Sequence, residues 1–187
     1  GEFLTNASLT QYANVDDYGT VAYLTKVLAG TTAQHGYLNQ MQFRFYDFSG
    51  VIIGSPLEVD RTTANGAYNG YNGANKFNLI YFGCFPANIK NWNSTIKAEF
   101  DAGNVSYYTV RGYLGSTPVT QLYTININCP TLKGYVPIRL TWLNQWGAWD
   151  YYTFTQKSVR SLSTKGSTYT QQSGTWNEGT YKLNGYK

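Results

Sequence analysis

The chain of 187 residues suits one domain or two small ones packed together. Only 13% of its residues are charged, 14 basic against 10 acidic, whereas 17% are aromatic and 18 are tyrosines. Long amphipathic helices need abundant Glu, Lys, Ala and Leu, so this composition argues against helix bundles and coiled coils and predicts an all-β protein, in which rings and Thr suit the pleated surface.

Gly1-Glu2-Phe3 reads either as a cloning remnant or as a processed terminus. Residues 18–28 have strand density of β-branched and aromatic side chains. Residues 41–48 alternate, with Met41, Phe43 and Phe45 on one side and Gln42, Arg44 and Tyr46 on the other, the period of a half-buried strand. Turn residues at 47–50 then lead into Val51-Ile52-Ile53, which predicts a hairpin. Three Asn-Gly pairs between 62 and 75 predict a loop. Tyr68 and Tyr71 give that loop contact residues, although a plain connection accounts for it as well.

Asn78 to Phe85 is the most apolar strand, ended by Pro86, with a short helical turn over 86–92. The run Leu79 to Phe85 is the longest apolar stretch and falls far short of the roughly 18 residues that span a bilayer, so no membrane partner is expected. Residues 105–114 and 119–128 alternate on either side of a turn at 115–118, and strands follow at 138–143 and 149–154 across a turn at 144–148. Short strands at this spacing predict antiparallel β-sandwich packing. The break near residue 76 leaves one sandwich or two small units, here divided as 4–75 and 76–156. Beyond residue 156 the aliphatic signal fades. The segment 157–187 holds five basic residues, one acid and scattered rings including Trp176, which predicts an extended arm on a neighbouring surface or else a last pair of strands. Five cations over such a length are too sparse for nucleic-acid binding.

The motifs of metal, nucleotide and dinucleotide sites are missing, and the Asn-Gly loop lacks the carboxylates of an EF-hand, so no metal or cofactor is expected. His35, the one histidine, sits in a turn-like stretch without a nucleophile elbow. Asp150 is the one acid inside the aromatic hairpin, and a structural role as hydrogen-bond acceptor or partner of Arg139 outweighs catalysis. These features predict a protein that is not an enzyme. Cys84 and Cys129 form a disulfide or stay as two buried thiols. The clustered rings of the hairpin, with Trp146 at its tip and Trp149 and Tyr152 on its return strand, fit either a subunit interface or the stacking of a glycan. The low charge favours the interface, because uncompensated charge is costly to bury.

Tyr135 to Phe154 reads Tyr-Val-Pro-Ile-Arg-Leu-Thr-Trp-Leu-Asn-Gln-Trp-Gly-Ala-Trp-Asp-Tyr-Tyr-Thr-Phe. It resembles a segment of virion structural proteins of tailed bacteriophages, matching at Pro137, Arg139, Leu140, Trp142, Leu143, Asn144, Gly147, Asp150 and Phe154. The stretch Phe82-Gly83-Cys84-Phe85-Pro86-Ala87-Asn88 is similar to a second segment of that group, with Phe85 in place of its usual glycine, so the resemblance spans residues 82–154. It implies a tail, fibre or appendage subunit located in the virion, whose partners are its own copies and other virion proteins, with a host-surface glycan as the alternative ligand. It carries no catalytic residues. Within the segment Asn144 and Gly147 suit the turn, Arg139 and Asp150 suit polar tethers, and the four together read as a structural staple.

Overall fold

The structure is a computed structural model that describes residues 3–26, 40–60, 77–127, 135–156, 159 and 161–166. Two compact units divide the chain, Gly1–Gln156 and Lys157–Lys187. The second has no helix or strand among its described residues. The first is all-β with two short helices.

Its elements in chain order are β1 (Thr10–Tyr12), β2 (Thr20–Lys26), β3 (Gln40–Tyr46), β4 (Leu57–Asp60), β5 (Phe77–Gly83), α1 (Pro86–Trp92), α2 (Ser94–Asp101), β6 (Tyr107–Leu114), β7 (Thr117–Pro118), β8 (Tyr123–Asn126), β9 (Ile138–Leu143) and β10 (Trp149–Phe154). A six-stranded sheet runs β1-β8-β6-β3-β4, with β7 paired to β6. Two ribbons, β2-β5 and β9-β10, complete the unit. Among the described residues all pairings are antiparallel except β1 with β8, within the all-β fold that the composition predicts.

The alternation of β3 sets the core. Met41, Phe43 and Phe45 are buried on one face of the large sheet beside Tyr108 and Val110 of β6 and Tyr123 and Ile125 of β8. Val21 and Tyr23 of β2, Phe82 of β5 and the buried sides of both helices complete the cluster, so the β2-β5 ribbon forms the facing layer. Rings carry much of the packing, with Phe43 5.6 Å from Phe82 and Phe45 5.9 Å from Phe100. Tyr108 Oη donates to the Cys84 carbonyl at 2.7 Å, which satisfies the polar end of a fully buried ring. Burial holds the Tyr108 and Tyr123 hydroxyls well above the usual phenol pKa and pushes the Cys84 thiol up, so all three stay neutral in the core.

Three expectations change. A division of the body near residue 76 fails, because β2 pairs along its length with β5 and β3 with β6, so strands from both sides of that point share sheets. The return strand of the first hairpin is β4, displaced beyond 51–53. Only Ile52 bridges β3, because Gly50 and Gly54, with φ of +77° and +67°, turn the chain twice. The helical turn at 86–92 forms as expected, and what changes is its sequel: α2 follows at once, with Asn93 as its cap, the side-chain oxygen accepting from Ile96 N at 2.8 Å.

Candidate functional site

The β9-β10 ribbon is held to the body by polar tethers from Asn144, Asp150, Arg139 and Tyr151, the last through its hydroxyl, which accepts from Thr20 N at 3.3 Å. Asn144 opens its turn. The Asn144 Oδ1 accepts from Trp146 N at 3.0 Å and Ala148 N at 3.1 Å, and Gly147 closes the turn at φ +74°. The Asn144 amide also reaches back to donate to the Leu4 carbonyl at 2.8 Å. Asp150, 2% exposed, accepts from the Thr5 hydroxyl and, at 2.9 Å, from Asn6 N. Arg139 lies between two rings, its guanidinium carbon 4.5 Å from the centre of Phe85 and 4.8 Å from that of Tyr151. One terminal nitrogen of that group pairs with Asp17 at 2.8 Å and the other donates to the Tyr18 carbonyl at 2.7 Å. The acid partner of Arg139 is therefore Asp17, and Asp150 takes the other role expected of it, as an acceptor.

The register then decides what the ribbon shows to solvent. Ile138 faces Phe154, Leu140 faces Tyr152 and Trp142 faces Asp150 across the strands, so these residues share one face. Apart from Asp150 every one of them is exposed, Leu140 at 49% and Phe154 at 50%. Tyr152 and Phe154 sit edge to face with ring centres 4.8 Å apart. At the turn end Leu143, Trp146 and Trp149 are exposed too. None of the tryptophans of this ribbon is tucked into the core. A row of large apolar side chains on a two-stranded ribbon, each strand of which pairs only with the other among the described residues, is what a partner surface covers.

The structure thus brings Trp146, Trp149 and Tyr152 together with Arg139, Asn144, Gly147 and Asp150 on one element. Tyr68, Tyr71, Trp176, His35 and Cys129 lie outside the described residues, and with them the Asn-Gly loop and most of the 157–187 segment. Cys84 is a free, buried thiol. The sequence reading missed Ile138, Leu140 and Phe154 as surface residues, because an aliphatic side chain on an alternating strand looks the same whether its face is core or interface. It also missed Asp17, which no local pattern links to Arg139. Among the described residues no group of three or more His, Cys, Asp or Glu side chains is placed to hold a metal ion.

Neither family models nor curated proteins give a match to this sequence.

Proposed function

We propose that this chain is a non-enzymatic structural subunit of a tailed-phage particle, placed in its tail, fibre or an appendage, and that it works through subunit contacts made by the β9-β10 ribbon. The observation that carries this reading is the exposed row Ile138, Leu140, Trp142, Tyr152 and Phe154 on an element whose other contacts are already fixed. Four tethers hold the ribbon, so its outer face is presented on a rigid support and little order is lost on association. Aromatic and aliphatic residues without charge are the composition of an interface centre. The resemblance of residues 135–154 to virion structural proteins supports the same placement.

Sedimentation of the whole chain tests it, compared with Leu140→Glu, a change confined to an exposed site. Concentration-dependent oligomers that the substitution dissociates are expected, together with detection of the chain in purified particles by mass spectrometry. A chain that stays monomeric at high micromolar concentration, alone and with the other proteins of the particle, would overturn the proposal.

A further inference from the structure

The outer face of the six-stranded sheet carries a second feature, independent of the ribbon. The strand register sets Gln42 beside Arg111 and Arg44 beside Thr109, with the pair Tyr46–Tyr107 below and Gln40–Tyr113 above. A cleft of about 230 Å³ opens here. Gln42, Arg44, Thr109 and Arg111 line it, with Tyr46 and Tyr113 at its ends and Leu122 at its side.

Both arginines are oriented by the protein, and among the described residues neither has an acid partner. Arg44 donates through Nε to Gln42 Oε1 at 2.8 Å, and the amide of the same Gln42 donates to Glu58 Oε1 at 2.8 Å. Arg111 donates through Nε to the Thr120 carbonyl at 3.1 Å. Among the described residues neither forms an ion pair, so the terminal nitrogens of both forks keep their donors for something else. Glu58, opposite Gln42 on the adjoining strand, is engaged by the Gln42 amide. A fork fixed at Nε is pre-organised for a planar carboxylate, which accepts two parallel N–H bonds.

We infer that this cleft binds a carboxylate-bearing sugar, a uronic or sialic acid residue of an acidic glycan. The two guanidiniums take the carboxylate, Thr109 has a hydroxyl to meet one of the sugar's, and Tyr46 and Tyr113 give the cleft aromatic lining. Charge complementarity selects the acid, and the aromatic lining selects a sugar over a bare anion. Tyr46 is itself braced, stacked on Tyr107 with ring centres 4.6 Å apart.

Calorimetric titration of the whole chain with trigalacturonate and with sialyllactose tests this, alongside the methyl ester of each and inorganic phosphate. At least one acidic saccharide should bind. Its ester should bind at least tenfold more weakly, and Arg44→Gln and Arg111→Gln should each lose at least tenfold, while Arg44→Lys recovers only part of the loss. Since Arg44 is exposed, its variants should keep the native circular dichroism. Leu140→Glu, on the ribbon, should bind as the parent does, which separates this site from the proposed subunit interface. Absence of binding by both saccharides at millimolar concentration would overturn the inference. So would equal binding of the esters, or phosphate binding as tightly as the sugars.

Discussion

Arg139 ties together parts of the chain that lie far apart in sequence. Its guanidinium joins a strand near the end of the body to the Asp17–Tyr18 segment near its start, and does so between two rings that shield it from water. A charge in such a place is costly unless paired, and removing its carrier strands the partner. Arg139→Ala should lower stability by about 3 kcal/mol, the range for breaking a largely buried pair with its cation–π contacts. Arg139→Lys should lose about half as much, because an ammonium keeps the charge but lacks the flat fork. Urea unfolding of these variants and of Asp17→Asn, assembled as a double-mutant cycle, checks the argument. Strict additivity of the two substitutions would mean that the pair contributes nothing.

At the scale of elements, the ribbon depends on its turn. Asn144 supplies two backbone donors with one oxygen, and Gly147 supplies the left-handed residue that brings the strands back into register. Open space surrounds the position where a Cβ would sit on Gly147, so a substitution there tests backbone conformation alone. Gly147→Ala should destabilise by about 1 kcal/mol and lower Tm by about 2–4 °C, and Gly147→Asn should lose less because Asn tolerates that region. A neutral Gly147→Ala in calorimetry would contradict the turn geometry. This is also where the sequence is easiest to read. The bounds 138–143 and 149–154 and the turn between them follow from alternation and from Asn and Gly alone. The alternation of 41–45 likewise identifies a buried face. What alternation does not carry is which of two apolar faces is covered. In β3 the apolar face is core, while in β9 and β10 it is outside, and only the packing of the rest of the chain decides. β1 was illegible for a related reason: three residues, Thr10-Gln11-Tyr12, are too few to show a period, and the strand exists because β8 offers it an edge. α2 lacks an acidic first turn and has few buried positions, so its one local signal is Asn93 at the cap.

For the molecule as a whole, the pairing pattern makes the body indivisible at the point where the sequence is weakest. The Asn-Gly-rich stretch looks like a linker, yet each of β2 and β3 takes its longest partner from beyond it, β5 and β6. Loop length adds only slowly to the entropy of closure, so a long insertion between paired strands is tolerated and need not mark a domain boundary. The core shows the same interleaving, since Phe43 and Phe45 rest against Phe82, Phe100 and Tyr108. Among the described strands, cutting the chain at residue 76 therefore strips β2 of its partner β5 and leaves β3 paired with β4. A pair of strands without a covering layer is marginal in water, and each half also loses the apolar surface the other buries. Residues 1–76 and 77–156 produced separately should each give poorly dispersed NMR spectra and no cooperative melting. Their mixture should regain both, because the missing partners are then restored in trans. Cooperative unfolding of either half by itself would show that the sheets are less interdependent than their register requires.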